Sequence, residues 1–224
     1  MAYRADVKNI RWRDLSEEHK WIREIAERYI LAAKKKEKVA PLAIIGPYGA
    51  GKSELMKWCF LKSWEEGIPA LFVTLDVLLK DILPKPKDIP TTITVGALPD
   101  RIAEWIRTQR EQIADSLGKD VPPEGILGLP DLESHETLSQ YFRDLHLDPE
   151  QVKEALSSCE ISVLFIDEME QAYKNLLDKI EVSDRGPLRE ILDQHASKNF
   201  YPIMAFALVS AYELLGGLEA EEGG

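Results

Sequence analysis

The sequence predicts an α/β fold in which a parallel β-sheet is flanked by helices. Short, unbroken apolar runs at residues 42–45, 70–75, 161–166 and 200–209 alternate with segments of helical periodicity. Strands of a parallel sheet are buried on both faces, so they read as continuous apolar runs rather than alternating ones. A glycine-rich turn joins the first run directly to a helical pattern, which is typical of the strand–turn–helix units of such folds.

The two ends of the chain flank this predicted core. Ser16, followed by two glutamates, is a favourable N-cap, and apolar residues then recur at helical spacing to about Lys36. Pro41 separates this helix from the first strand, so residues 1–40 form a predicted N-terminal helical segment. At the other end, the acidic, glycine-rich residues 216–224 are expected to be frayed.

The core is predicted to consist of two pieces separated by a helical insertion. Residues 41–76 and 161–215 carry the four strands, and residues 77–160 between them are more than one crossover helix needs. Helical patterns occupy three segments of this insertion, the second and third with caps at Ser134 and Asp148: residues 98–117, 134–145 and 149–157.

Composition excludes several classes of protein. Of the 224 residues, 45% are apolar and 30% are charged, which excludes wholesale disorder. The net charge of −11 excludes a globally basic nucleic-acid binder, although the first 62 residues carry 14 Lys and Arg against 8 Asp and Glu. Any DNA contact would use the lysine run at residues 34–38. Such runs more often lie at the solvated end of a helix.

The sequence also bears on the compartment. The N-terminus has no signal-peptide pattern, and the longest apolar stretch, at residues 200–215, contains Glu213 and is too short to span a bilayer. Cys59 and Cys159 lack the spacing of metal ligands and fit a reducing environment. We therefore expect a cytoplasmic protein without membrane contact.

The glycine-rich turn has the G-x-x-x-x-G-K-S pattern of a phosphate-binding P-loop. Its glycines let successive backbone N–H groups point at phosphate oxygens, and the following helix adds the positive end of its dipole. Lys52 is expected to contact the β- and γ-phosphates, and Ser53 to ligate Mg²⁺. The residues predicted to bind the nucleotide are Gly46, Pro47, Tyr48, Gly49, Ala50, Gly51, Lys52, Ser53 and Glu54. The pattern therefore predicts binding of ATP with Mg²⁺.

The third apolar run ends in the acidic pair Asp167 and Glu168. Open α/β sheets bind ligands at the carboxyl ends of their strands, so Asp167 is placed to support Mg²⁺. Glu168 is placed to polarise a water for attack on the γ-phosphate. The alternative is that the pair caps the helix that begins at Met169. Together with a P-loop upstream, the pair predicts hydrolysis rather than binding alone.

The two motifs in this order resemble the AAA+ ATPases and their neighbours, the initiator-type and STAND ATPases. The resemblance covers roughly residues 12–215. It implies a P-loop NTPase core whose fourth strand ends in a polar residue that senses the γ-phosphate, here Ser210. It also implies an arginine finger and a helical lid, but no Lys or Arg follows Lys198, so we expect a fragment that lacks the lid. Arg185 and Arg189 could reach a neighbouring site, although surface charges are the simpler interpretation.

The resemblance implies a Mg²⁺-dependent ATPase, weak alone, whose hydrolysis changes the conformation of a larger assembly. The alternative is a nucleotide-dependent binding switch with little intrinsic turnover. A third hypothesis is a phosphotransferase. The acidic pair argues against it, because an enzyme that transfers phosphate to a hydroxyl acceptor needs no glutamate to activate water. We expect ATP and ADP as ligands, and self-association or a larger assembly, with DNA or a protein complex as the target. Specificity for that target is expected in the insertion at residues 77–160.

Overall fold

The fold is seen in a computed structural model that describes residues 20–83, 93–94, 97–119, 125–169, 180–181 and 193–207. The helices are α1 (Lys20–Lys34), α2 (Lys52–Glu65), α3 (Leu75–Ile82), α4 (Leu98–Ser116), α5 (Leu138–Asp144) and α6 (Pro149–Ser158). The strands are β1 (Leu42–Gly46), β2 (Ala70–Thr74), β3 (Ile93–Thr94), β4 (Ser162–Asp167), β5 (Ile180–Glu181) and β6 (Phe200–Ala207). Short 3₁₀ turns occupy Leu132–Ser134 and Ala196–Lys198.

Four parallel strands form the main sheet in the order β1-β6-β4-β2. Gly46 at the end of β1 is in register with Ala207 of β6, and Thr74 at the end of β2 is in register with Asp167 of β4. β4 and β6 lie in the middle of this sheet, and every residue in both is buried. The predicted α/β architecture, a parallel sheet with flanking helices, is therefore confirmed.

Helices cover both faces of the sheet. Phe165 of β4 stacks on Phe72 of β2 with ring centroids 6.1 Å apart, and Phe60 of α2 meets Phe165 edge-on at 6.2 Å. Ser162 of β4 points to the opposite face because side chains alternate along a strand. There it accepts a hydrogen bond from Arg110 of α4. The sheet is thus packed between α2 and α4, which explains its unbroken apolar strands.

Two local predictions are wrong, and both errors concern how helices begin. α3 starts at Leu75 directly after β2, so the predicted strand at residues 70–75 ends one residue earlier, at Thr74. α5 is capped by Thr137 and not by Ser134, because the Thr137 hydroxyl accepts from the N–H of Gln140 at 3.2 Å. Ser134 instead ends a 3₁₀ turn. In contrast, the predicted cap at the start of α6 is confirmed, since the Asp148 carboxylate accepts from the N–H of Glu150.

Other sequence-based expectations fall partly or wholly outside the described residues. The pair β3 and β5 forms a separate two-stranded parallel sheet that the sequence did not predict, because two residues are too few to show a hydrophobic period. The predicted cap at Ser16 and the tail at residues 216–224 lie outside the described residues. Within the described ranges, no helix has both the length and the apolar character needed to cross a membrane.

Candidate functional site

The P-loop forms a tight turn between β1 and α2. Gly49 and Gly51 have φ angles of 79° and 80°, in the left-handed region where a side chain would be strained. The N–H of Ala50 donates to the Pro47 carbonyl at 3.3 Å, which closes the turn. A Cβ built on Gly46 would lie 3.4 Å from the Cβ of Ala50, so the loop doubles back closely on its own start. The left-handed backbone of the turn therefore requires glycine at positions 49 and 51 of the motif.

The amino end of α2 begins directly at this turn. Gly51 is the N-cap and provides no side-chain cap, so the N–H groups of the first turn, where Glu54 also lies, face outward without an acceptor inside the helix. These donors and the helix dipole favour a negatively charged group at this end. A 14-residue helix is long enough to develop that dipole.

Lys52 folds back over the loop. Its ammonium donates to the Gly46 carbonyl at 3.0 Å and to the Pro47 carbonyl at 3.1 Å. The ring centroid of Tyr48 lies 5.6 Å from the same nitrogen, within the range of a cation–π contact. The lysine is thus held at the mouth of the turn by the loop itself. The ring contact was not foreseen, since the motif marks position 48 only as a variable residue.

Ser53 and Asp167 are in contact although they lie far apart in the sequence. The Ser53 hydroxyl donates to Oδ2 of Asp167 at 2.7 Å, across a sequence separation of 114 residues. The strands β1 and β4 are separated by β6, a gap of about 10 Å. Ser53 is the second residue of α2, so the P-loop itself places this side chain at the end of β4. The sequence prediction that these two residues share one site is consistent with this contact.

Asp167 is buried, and both of its carboxylate oxygens are engaged. Oδ2 accepts from Ser53, and Oδ1 accepts from the backbone N–H of Glu168 at 2.8 Å. An ionised carboxylate can only accept, so these two donors fix its orientation. Asp167 therefore presents a positioned oxygen at the carboxyl edge of the sheet.

Glu168 follows the last residue of β4 directly, and its side chain is exposed. Its φ angle is 53°, which is uncommon for a residue with a side chain and costs on the order of 1–3 kcal/mol. Such strain is concentrated at functional sites, because the surrounding structure must hold the residue in place. The sequence marked Glu168 by its position after the strand, but nothing in the sequence indicated the left-handed backbone.

The other residues that the sequence singled out lie outside the described ranges. β6 ends at Ala207, with its carboxyl end between those of β1 and β4. Ser210, predicted to sense the γ-phosphate, is not among the described residues, and neither are Arg185 and Arg189.

The donor set fits Mg²⁺ held together with a nucleotide. Among the described residues, no group of three or more His, Cys, Asp or Glu side chains could hold a metal by itself. Mg²⁺ usually keeps several waters and binds through one or two protein oxygens plus substrate phosphates. The Ser53 hydroxyl and the Asp167 carboxylate, in contact beside the P-loop, are such a pair.

A cavity of about 620 Å³ lies elsewhere, between α4, α6 and the amino ends of β4 and β6. Its charges are paired within the chain, with Lys198 on Asp100 at 2.5 Å and Arg107 on Glu104 at 2.5 Å. β4 has six residues, so the cavity is roughly 16 Å from Asp167 along that strand. It contains none of the residues that the sequence predicted for the site.

The lysine run at the end of α1 faces acidic partners. The pairs are Lys34 with Glu66, Lys35 with Glu37, and Lys36 with Glu160. The hydrogen bond from Lys36 holds the pKa of the Glu160 carboxyl below its usual value. This pairing offsets the positive charge that a phosphate backbone would need, so DNA contact at the run gains no support from these residues.

Comparison with known proteins adds no further assignment. No protein-family model, curated protein or solved structure matches the chain. The functional interpretation therefore depends on the residues and their geometry.

Proposed function

We propose that this chain binds ATP with Mg²⁺ at residues 46–53 and hydrolyses it, as a P-loop ATPase of the AAA+ type. The hydrogen bond between Ser53 and Asp167 is the observation that carries this proposal. It places the last residue of the P-loop against the acidic end of a strand 114 residues further along the chain. A glycine-rich turn alone would support anion binding, whereas this pairing also supports a metal.

Each residue in the proposed site has a distinct role. The backbone N–H groups of the loop and of the first turn of α2 bind phosphate oxygens. The Lys52 ammonium has three donors, two of which are used by the Gly46 and Pro47 carbonyls, and the third is directed to the β- and γ-phosphates. Ser53 and Asp167 would hold Mg²⁺, which when bound neutralises charge on the phosphates.

Glu168 is the proposed general base. It lies one residue after Asp167, and its side chain is exposed at the carboxyl end of β4. The carboxylate would orient a water beside the γ-phosphate and accept its proton as the oxygen attacks phosphorus. Among the described residues, four other non-glycine residues also have a positive φ angle, namely Lys36, Asp131, His146 and Asn199. The assignment therefore depends on the position of Glu168 after Asp167 and not on its backbone conformation.

The decisive experiment separates binding from turnover. In Glu168→Gln, ATP affinity by calorimetry should stay within about twofold, while phosphate release should fall by about 10²–10⁴-fold, the usual contribution of a general base. Glu136→Gln, an exposed substitution away from the site, is the matched control and should change neither quantity. Full turnover in Glu168→Gln would remove Glu168 from the mechanism, and a wild-type chain that binds no ATP would refute the proposed function.

The dependence of rate on protein concentration tests the proposal that the ATPase works in an assembly. A rate per chain that rises with concentration indicates a site completed by a neighbour. A rate that stays low at every concentration, with tight ATP binding, indicates the nucleotide-dependent switch instead.

A further inference from the structure

Tyr48 has an unusual place for a large aromatic residue. Its side chain is 75% exposed at the crest of the P-loop, so burial in the core does not account for its position. Pro47 fixes the backbone before it, and Gly49 takes a left-handed conformation after it. The ring is directed back toward the Lys52 ammonium, at 5.6 Å from the centroid.

The loop thereby surrounds its own lysine. An ammonium has three donors. The Gly46 and Pro47 carbonyls accept two bonds from Lys52, and the negative face of the Tyr48 ring lies on a further side. The two carbonyls belong to the turn and stay with it, whereas a side chain on an exposed crest can rotate away. The ring is therefore the component that an incoming phosphate can displace.

We propose that Tyr48 is a gate on Lys52. In the nucleotide-free chain the Tyr48 ring contacts the Lys52 ammonium, and the ring must move away before a polyphosphate binds. The inference rests on the proposed function, because it assigns Lys52 to the β- and γ-phosphates. Tyr48 sets the affinity of the site without taking part in the chemical step. It acts on the polyphosphate portion of the ligand and not on the base or ribose.

The size of the effect follows from competition. A cation–π contact at an exposed site favours the ring-bound lysine by about two- to fivefold over the free one. When only a fraction of the molecules is competent, the apparent dissociation constant rises by the inverse of that fraction. The competent fraction is then about one third to one sixth, so removing the ring should tighten polyphosphate binding by about three- to sixfold.

The test measures three ligands on four chains. Calorimetry compares ATP and inorganic tripolyphosphate on the wild type, Tyr48→Ala, Tyr48→Leu and Tyr48→Phe, and AMP is measured by competition. Tyr48→Ala and Tyr48→Leu should bind ATP and tripolyphosphate about three- to sixfold more tightly. Tyr48→Phe keeps the ring face and should retain wild-type affinity. AMP lacks the β- and γ-phosphates, so its affinity should be the same on all four chains.

Trp21→Ala is the matched control, since Trp21 is another exposed aromatic residue, 63% accessible on α1. It should leave all affinities unchanged. Equal ATP affinity on all four chains, or weaker binding by Tyr48→Ala, would overturn the gate; weaker binding would mean that the ring clamps the ligand. A parallel change for AMP would place Tyr48 at the nucleoside instead. If neither the wild type nor Tyr48→Ala binds ATP or tripolyphosphate, the proposed function fails together with the gate.

Discussion

At the scale of single residues, Asp167 shows how a buried carboxylate can be kept available for a metal. Its two oxygens accept from Ser53 and from the Glu168 backbone, and within the part of the chain that the structure describes no lysine or arginine is bonded to it. A salt bridge would compete with a cation for the same oxygens, whereas a hydroxyl can itself become a ligand. The arrangement is therefore better suited to a divalent ion than an ion pair would be.

Asp167→Asn removes the negative charge while keeping the size of the side chain. The amide can still accept from the Glu168 N–H, so the fold should survive. Because Mg²⁺ prefers carboxylate oxygens, we expect the increase in ATP affinity that Mg²⁺ produces to fall by about tenfold or more. Calorimetry with Mg²⁺ and with a chelator measures this increase.

Glu111→Gln, an exposed substitution on α4, serves as the charge-matched control for Asp167→Asn. It should keep the full effect of Mg²⁺. If Asp167→Asn keeps that effect as well, Asp167 does not hold the metal.

At the scale of elements, the helices between β2 and β4 are attached to the site through α2 and β2. Lys57 of α2, buried one turn after Ser53, pairs with the Asp131 carboxylate at 2.9 Å. The N–H of Phe72 on β2 donates to the Gly128 carbonyl at 2.8 Å, which covers the outer edge of the sheet. A displacement of the 125–135 segment would therefore act directly on the P-loop helix.

α4 is anchored to the start of β4 by one guanidinium. Arg110 donates to the carbonyls of Leu156, Cys159, Glu160 and Ile161 and to the hydroxyl of Ser162. Burial lowers the pKa of Arg110 from its ordinary value, but not enough to discharge an arginine at neutral pH. These acceptors lie where α6 ends and β4 begins, so the side chain joins three elements.

Arg110→Met should lower the free energy of unfolding by about 2–4 kcal/mol, because several partly buried carbonyls lose their donor. Denaturant titration measures the change. Arg107→Met, one turn earlier on the same helix, removes an arginine that pairs only with exposed glutamates among the described contacts. That control should cost about 0.5 kcal/mol or less. Equal losses in the two variants would contradict the anchoring role of Arg110.

At the scale of the whole molecule, the core holds several weak acids in their neutral form. Burial raises the pKa of the Tyr29 and Tyr141 hydroxyls and of the Cys59 thiol. In the unfolded chain these groups ionise near 10 for tyrosine and 8.5 for cysteine. Above those values the unfolded chain releases protons that the folded chain keeps, so unfolding becomes more favourable as pH rises.

The contribution of these three groups should therefore be constant below about pH 8, and stability should fall progressively as pH passes 8.5 and then 10. Thermal melting between pH 7 and 11 measures this fall. Tyr29→Phe should lose some stability at neutral pH, since the hydroxyl donates to the Pro202 carbonyl at 3.0 Å. The same variant should show a smaller decline above pH 10. A melting temperature that does not change up to pH 11 would contradict the burial of these groups.

The sequence by itself determined the four strands of the main sheet, most of the helices and the two motifs, because each depends on residues close together in the chain. An unbroken apolar run signals a buried parallel strand wherever that strand lies in the sheet. The residues of the P-loop and the acidic pair were likewise readable without knowledge of packing. Local signals misled at the start of α3, and again where Ser134 and Thr137 competed as the cap of α5.

Only the tertiary structure decided which of these elements and side chains contact one another. It put β6 between β1 and β4, and it brought Ser53 into contact with Asp167. It also turned the Tyr48 ring toward Lys52 and gave Glu168 a left-handed backbone. These features depend on strand order and on packing between distant segments, and a linear pattern carries no record of which segments will meet. The chemistry was present in the sequence, and the fold determined which groups could act on the same ligand.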